Sequence, residues 1–228
     1  YYLSSLADTT PFSDAGAPDK AAGAAASWTT AFMKSAGEAL ERYGAACYQT
    51  ASFRHANEAA LSSPVRPTNF VLPPQSESYD PTEPISWIRG TDLDSEASVF
   101  IPAEFVVFPP PEQQFRPAIT TGLGLGSSTV DSVLAGVYEV IERDAIMIGW
   151  YSSFEPFEVT FDDDRVETLR QRARTEDLTV TPLLMTQDID LPVVTACVHR
   201  ETEWPQFAVG SSAHLDATTA GVGAIEEA

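Results

Sequence analysis

The chain has 228 residues, of which 43% are hydrophobic and 10% aromatic, so its composition is that of a globular protein able to bury a core. Its 33 acidic residues outnumber 13 basic ones, and the net charge is −20. So acidic a surface repels nucleic-acid phosphates and anionic membranes, and we expect neither as a partner. In a salt-rich cytoplasm, where the Debye length is about 3 Å at 1 M salt, the self-repulsion is screened. We therefore predict a halophilic source.

Two cysteines, Cys47 and Cys197, are too few for a disulfide framework and have no metal-ligand spacing, so we expect reduced thiols. No apolar stretch reaches the ~18 residues that a membrane helix needs. The first residues also lack the charged region and apolar run of a signal peptide. Together these features predict a cytoplasmic protein.

The first half of the chain contains one clear helix and two strand candidates. Residues 1–27 read as loop with a short strand. From Trp28 to about Tyr48 apolar side chains recur at helical spacing, which predicts a helix with this stripe toward the core and with Glu38 and Glu41 opposite it. The stripe consists of Phe32, Met33, Ala36, Leu40, Tyr43 and Cys47. A Pro- and Ser-rich connector, residues 63–84, is followed by predicted strands at 85–88 and at 99–108, the second interrupted by Pro102.

The second half begins with a glycine turn, residues 122–126, that enters a helix reaching about Tyr151. Ser128 and Asp131 resemble a capping box at its start. Its predicted core stripe is Val130, Val133, Leu134, Val137, Ile141, Ala145 and Ile148, with Glu139 and Glu142 pointing away from it. The remaining predicted elements are a charged surface helix (165–175), strands at 178–185, 192–198 and 207–210, and a helix at 218–228. Because that last helix has no C-terminal signal, we expect a chain that is truncated or incomplete there.

The motif Glu-x-x-Glu-Arg occurs twice, at residues 38–42 and 139–143. Carboxylates three residues apart project from one side of a helix, with Cβ atoms about 5–6 Å apart. Two such pairs face to face would form a cage of four carboxylates, and carboxylate oxygens are the ligands that Mg²⁺ prefers. In so acidic a chain the alternative is two solvated helix faces. Spacing alone does not decide between them.

Other motifs carry little information about function. The run Gly122-Leu-Gly-Leu-Gly126 is neither a dinucleotide fingerprint nor a P-loop, which leaves a generic anion site at a helix N-terminus or a plain turn. The histidines have no zinc-ligand spacing, and no Gly-x-Ser-x-Gly elbow occurs. No catalytic side chain is assigned from the sequence.

Several ordered blocks resemble the YcaO superfamily. Gly122-x-Gly-x-Gly followed by Glu139-Val-Ile-Glu142-Arg143-Asp144 is similar to its central block, and Ser35-Ala-Gly-Glu38-Ala-Leu-Glu41-Arg42-Tyr43 to an earlier one. Residues 87–93 resemble its intervening segment, 186–194 and 210–216 its SagD-like branch, and 225–228 the start of a third acidic helix. The resemblance, from about residue 20 onward, implies an α/β fold of mixed sheets with packed helices and an internal pseudo-repeat of acidic helices. We expect one such domain over residues 1–228, incomplete at its C-terminus.

In that family, glutamates of three helices hold Mg²⁺ ions that bridge the phosphates of ATP. By matched position the resemblance implies Glu38, Glu41, Glu139, Glu142 and Glu227 as metal ligands, and Ser35, Ser127 and Arg143 near the nucleotide. The family uses ATP to activate a peptide-bond oxygen after a nucleophile attacks the amide carbon. The resemblance thus implies a cyclodehydratase-like enzyme forming an azoline or a thioamide, in the maturation of a ribosomally made peptide such as a bacteriocin. A peptide or protein substrate, a partner protein that delivers it and a homodimer are the expected associations.

Two departures from the family pattern support an alternative. The usual Gly-Lys-Gly before the first helix is Gly23-Ala24-Ala25 here, so a basic contact to the nucleotide is missing. The family serine stands four residues before the first glutamate, whereas Lys34 occupies that place and Ser35 follows it. These changes leave open a branch with altered nucleotide contacts or one that has lost catalysis. The missing lysine and the expected truncation favour a non-catalytic docking scaffold that presents a precursor peptide to a partner enzyme. The intact glutamate pairs favour the enzyme.

Overall fold

The computed structural model describes residues 1–74, 76, 78–202 and 204–228, which form two compact units. The first unit contains residues 1–3, 22–38 and 121–228, and the second contains residues 4–21 and 39–120. The helices are α1 (Trp28–Ala46), α2 (Thr129–Tyr151), α3 (Asp164–Thr175) and α4 (Ala217–Glu227). The strands are β1 (Tyr2–Ser5), β2 (Lys20–Gly23), β3 (Arg54–Ala56), β4 (Ile85–Thr91), β5 (Ser98–Pro102), β6 (Phe157–Glu158), β7 (Thr179–Leu184), β8 (Val193–His199) and β9 (Phe207–Ala213). The predicted mixed α/β class is confirmed.

The first unit is built on an antiparallel sheet with the order β6-β7-β8-β9. Successive side chains of a strand point to opposite faces, so β8 contributes to two cores. On one face Val194 and Ala196 pack against Val166 of α3 and against α4. On the other face Val193 packs in a cluster with Ala145 of α2. Helices therefore cover both faces, α2 on one side and α3 with α4 on the other.

The second unit contains an antiparallel sheet with the order β3-β4-β5. Trp87 of β4 is fully buried and packs with Ile85 and Phe115. Its indole N–H donates to the carbonyl of Ala56 at 2.9 Å, which satisfies the one polar atom of this side chain.

β1 and β2 form a separate two-stranded sheet. None of the helices in the described part of the chain combines the length and apolarity that a membrane span requires.

Most predicted elements are confirmed, but residues 1–27 contain two short strands, β1 and β2, where one was expected, and one predicted strand is wrong. Residues 103–105, which follow β5, form a single 3₁₀ turn, and no strand continues to residue 108. The carboxylate of Glu104 accepts hydrogen bonds from the backbone N–H groups of Gln114, Phe115 and Arg116 at 3.0–3.2 Å. These bonds close a loop that a continued strand would not allow. Gln75 and Glu77 of the predicted connector lie outside the described residues.

The predicted orientation of α1 is wrong. Its large apolar side chains face solvent, with Phe32, Met33 and Leu40 exposed by 51%, 61% and 60%. Ala31 and Ser35 are fully buried instead, and Glu38 follows Ser35 by three residues on that same side. Helical periodicity identifies two faces but does not say which one another element covers. Small side chains permit the closer approach, so here the buried face is the one that carries Glu38.

The same correction applies to most of α2. Only Ile141 and Ala145 of its predicted stripe pack in the core. The other five stripe residues are exposed, namely Val130, Val133, Leu134, Val137 and Ile148. Glu139 and Glu142 are half-buried, whereas Asp144 is exposed. On both helices, therefore, the glutamates lie nearer to the protein interior than most of the large apolar side chains.

Candidate functional site

The site begins where the face of the sheet under α2 changes from apolar to polar. Val193 of β8 and Ala213 of β9 form a register pair that packs with Ala145. Two residues along each strand, on the same face, Thr195 and Ser211 form the next such pair. The Ser211 hydroxyl donates to Oε1 of Glu142 at 2.6 Å. Glu142, one turn before Ala145, is thereby fixed over the polar part of the sheet.

Ser211 also binds a glutamate from a second helix. Its backbone N–H donates to Oε2 of Glu227, near the end of α4, at 3.0 Å. The neighbouring Gly210 permits this contact, because a Cβ at that position would collide with the backbone of Ala224. One serine thus holds the carboxylates of Glu142 and Glu227, which lie on α2 and α4.

Three glutamates in the first unit are held by backbone amides in a similar way. The N–H of Ala22 donates to Glu38 at 2.6 Å, and the N–H of Gly122 donates to Glu139 at 2.9 Å. With the Ser211–Glu227 bond, the donor precedes its glutamate by 16, 17 and 16 residues. Hydrogen bonds to a charged acceptor are stronger than neutral ones. Each carboxylate is therefore oriented by the segment that leads into its own helix.

The effect of burial and of the neighbouring charges is seen in the pKa of Glu142. Burial raises the pKa of Glu142 above its ordinary value, and the negative charges of Glu227 and Glu139 raise it further. The hydrogen bond from Ser211 and the charge of Arg143 oppose the increase without cancelling it. A cation bound beside these carboxylates would relieve the part of this increase that comes from the charges of Glu227 and Glu139.

A contact that sequence reasoning missed involves Glu226, next to Glu227. The Lys34 ammonium lies 2.7 Å from its Oε2, and the N–H of Ala26 donates to its Oε1 at 2.9 Å. The carbonyl of Ala26 accepts from Arg172 of α3 at 3.0 Å. The segment before α1 is in this way tied to both α3 and α4. In the sequence, the only indication of this contact was Lys34, which stands where the family has a serine. Its partner Glu226 lies 192 residues away and could not be predicted.

Thr195 provides a test of whether the site fits a bound group. It is 7% exposed, and its hydroxyl has no hydrogen-bond partner among the described residues. It stands opposite Ser211, whose own hydroxyl binds Glu142. A buried hydroxyl of this kind is usually satisfied by water or by a ligand. The position therefore fits a hydrated ligand next to Glu142.

The structure places the remaining predicted site residues as follows. Ser35 is fully buried in α1, and Glu41 lies one turn beyond Glu38 and belongs to the second unit. The Ser127 hydroxyl donates to Asp131 at 2.5 Å. The guanidinium of Arg143 is half-exposed and lies 3.9 Å from Glu139.

The predicted cage of four carboxylates is not preformed. Across residues 1–74, 76, 78–202 and 204–228, no three His, Cys, Asp or Glu side chains are placed to hold one metal ion together. Mg²⁺ is usually held by one or two carboxylates and completes its shell with water and phosphate oxygens. Glu142 and Glu227, joined by Ser211, fit that smaller requirement. The assignment of single glutamates as metal ligands stays a prediction.

The family model for YcaO cyclodehydratase, described as ATP- and Mg²⁺-binding, matches residues 22–228. The chain belongs to the YcaO family. An uncharacterized protein of Methanothermobacter thermautotrophicus is 29% identical to it over 95% of this chain and 58% of its own length.

Two solved structures share the fold. A heterocyclase in complex with substrate and cofactor superposes with a TM-score of 0.81 at 22% identity, over 91% of this chain and 32% of that one. YcaO from Methanopyrus kandleri, bound with AMPPCP and Mg²⁺, superposes with a TM-score of 0.74 at 25% identity, over 90% and 52%. The chain thus spans between about a third and three fifths of the length of these three proteins.

Proposed function

We propose that this chain is the magnesium- and ATP-binding part of an enzyme that activates a backbone amide of a peptide. The observation that carries the proposal is Ser211, which fixes Glu142 and Glu227 from two helices while Glu139 adds its charge nearby. Membership of a family described as ATP- and Mg²⁺-binding supports it. So does the fold shared with a YcaO protein bound with AMPPCP and Mg²⁺.

The proposed metal ligands are Glu139, Glu142 and Glu227, with Glu38 and Glu41 from α1. When bound, Mg²⁺ neutralises phosphate charge and positions the phosphoryl group for transfer. On a chain of net charge −20, carboxylates repel the triphosphate unless a cation lies between them. Divalent ions should therefore be required before ATP binds. Ser35, Ser127 and Arg143 are the proposed nucleotide contacts.

The proposed reaction consumes one ATP for each modified amide. A Cys, Ser or Thr side chain of the substrate attacks the amide carbon and releases its S–H or O–H proton, which closes the ring. The amide oxygen accepts the γ-phosphoryl group of ATP, which gives ADP. Loss of that oxygen as phosphate, together with the amide N–H proton, leaves the C=N bond of the azoline. With sulfide as the nucleophile the product is a thioamide. We place this reaction in the maturation of a ribosomally made peptide in the cytoplasm. The same proposal assigns the chain to a SagD-like branch and includes a partner protein that delivers the substrate.

Calorimetric titration of the full-length protein with ATP, with and without Mg²⁺, tests the metal requirement. Wild type is compared with Glu139→Gln plus Glu142→Gln, and with a control of equal charge, Glu176→Gln plus Glu201→Gln, two exposed glutamates. We expect magnesium-dependent binding in wild type and control, and at least about tenfold weaker binding in the site variant, since one charged hydrogen bond or contact is worth about 1.5–3 kcal/mol. ATP binding that survives removal of all divalent ions would contradict the metal-first order.

One alternative has its own support. The lysine-free segment Gly23-Ala24-Ala25 and the lack of a preformed three-acid cluster in the described part of the chain favour a docking scaffold without catalysis. A full-length protein that binds a precursor peptide but shows no magnesium-dependent ATP binding in the same titration would establish the scaffold and exclude the enzyme.

A further inference from the structure

Helix α3 contains one arginine, Arg170, that has no partner among the described residues. Three of its four arginines bind a neighbour: Arg165 pairs with Asp163 at 3.0 Å, Arg172 donates to the Ala26 carbonyl at 3.0 Å, and Arg174 lies 3.2 Å from Glu167. Arg170 forms no hydrogen bond or ion pair with any residue that the structure describes, and its Nε is buried. Acidic residues outnumber basic ones by 33 to 13 in this chain, so an unpaired guanidinium is unexpected.

A cavity lies directly beside this side chain. It measures about 230 Å³ and is lined by Arg170, Arg174, Leu178, Thr179 and Val180. The two arginines are four residues apart and share one face of α3. At about 30 Å³ per water molecule, the cavity has room for a small anion together with several waters. Its walls thus offer positive charge and space in the same place.

The edge of the sheet adds a backbone donor at this cavity. β6 pairs with β7 only at Leu183 and Leu184, so in the described chain no strand pairs with that edge at Thr179 and Val180. Successive residues of a strand direct their N–H groups to alternate sides. One of these two residues therefore presents its N–H at the unpaired edge.

The helix dipole does not account for Arg170. A basic side chain in the last turn of a helix is favoured by the partial negative charge there, and this explains Arg172 and Arg174. Arg170 lies earlier in α3, where the dipole contributes little. A buried polar atom without a partner calls for a bound water or ion.

We propose that this cavity binds a small oxyanion, a phosphate or a carboxylate, through Arg170 and Arg174. Guanidinium groups present planar pairs of N–H donors that match two oxygens of such an anion. The anion would accept hydrogen bonds from the guanidinium groups that line the cavity and would compete with Glu167 for Arg174. α3 covers the face of the sheet opposite α2, so this site is separate from Glu142 and independent of the proposed ATP reaction.

NMR spectroscopy of the arginine Nε–H groups in the full-length protein tests this site. Inorganic phosphate and glutarate are titrated in separate experiments at constant ionic strength. Arg170→Lys, which keeps the charge but lacks Nε, identifies the Arg170 resonance, and Arg174→Lys provides a second variant in case the first does not fold. Arg165→Lys is the control, because Arg165 binds Asp163 outside the cavity. We expect a saturable shift of the Arg170 resonance and about tenfold or more weaker binding in the cavity variants, monitored at Nε–H groups that remain.

The outcomes separate the two anion classes. A saturable shift with phosphate alone assigns a phosphate site, a shift with glutarate alone assigns a carboxylate site, and a shift with both supports the general oxyanion site. The absence of a saturable Arg170 shift with either anion would overturn the proposal. Equal weakening in Arg165→Lys would overturn it as well, since that result would indicate general charge screening.

Discussion

Ser211 makes two bonds of different origin, and a single substitution separates them. Ser211→Ala removes the hydroxyl that donates to Glu142 at 2.6 Å but keeps the backbone N–H that donates to Glu227 at 3.0 Å. Hydrogen bonds to charged groups contribute about 1.5–3 kcal/mol. Glu142 is half-buried, so we expect a loss near the lower limit, about 1.5 kcal/mol at neutral pH. For a chain of this size that corresponds to a decrease in Tm of roughly 3–6 °C.

The sign of the pH dependence follows from the charge of the acceptor. The Ser211 hydroxyl bonds the ionised carboxylate, so in wild type it lowers the pKa of Glu142 relative to the value in Ser211→Ala. Its contribution to stability is therefore largest above that pKa and falls as the pH decreases through it. Below the pKa a neutral bond remains, worth about 0.5–1.5 kcal/mol. The difference between wild type and variant should narrow in acid.

Urea denaturation between pH 4 and pH 8, in EDTA, measures this difference. A double-mutant cycle with Glu142→Gln isolates the charge-dependent part of the coupling between the two side chains, because Gln accepts the same hydrogen bond without charge. We expect the effect of Ser211→Ala to be smaller and independent of pH in the Gln background. A loss in Ser211→Ala that stays constant across the pH range, or an equal loss in both backgrounds, would refute the proposed charged hydrogen bond.

Three further predictions concern packing, an ion pair and salt. Gly124→Ala should lower the free energy of unfolding, measured with urea, by about 1–3 kcal/mol, because the added Cβ would meet the backbone of α2. Gly44→Ala, which has open space around it in α1, should raise the free energy of unfolding by about 0.5–1 kcal/mol. Equal effects of the two substitutions would contradict the close packing at Gly124. Lys34→Ala should lower the free energy of unfolding by at most about 1 kcal/mol in dilute buffer, since the Lys34 side chain that binds Glu226 is 44% exposed. A difference in stability from wild type that persists at 1 M NaCl would argue against an ionic contact. The free energy of unfolding of wild type should rise with KCl up to molar concentrations because of the charge of −20, and full stability in dilute buffer would count against a halophilic source.

Local signals predicted the elements well. α1 and α2 follow from helical periodicity, and Ser128 accepts the N–H of Asp131 as the N-cap of α2, as the sequence indicated. The failure at residues 105–108 has a nonlocal cause. Glu104 binds backbone groups 10–12 residues later in the chain, and this contact overrides the β-propensity of a Phe-Val-Val-Phe segment.

The site was predictable only in part, for a different reason. Glu139 and Glu142 were found from their spacing, because i and i+3 residues share a helix face whatever the rest of the chain does. Ser211 was missed because it meets Glu142 across 69 residues, through the register of β8 and β9. Thr195 reads as an ordinary strand residue, and only its register opposite Ser211 connects it with the site.

The burial of the two helices decides between a solvated acidic face and a constructed one. A solvated face would leave its glutamates exposed and without fixed partners, while large apolar residues covered the core. Here Glu38, Glu139 and Glu142 are half-buried, and each accepts a hydrogen bond from a backbone N–H or a hydroxyl. Partial burial of like charges costs free energy, as the raised pKa of Glu142 indicates. An arrangement that costs stability and is nevertheless held by specific donors is typical of a binding site, and it makes coincidental Glu-x-x-Glu-Arg motifs the weaker explanation.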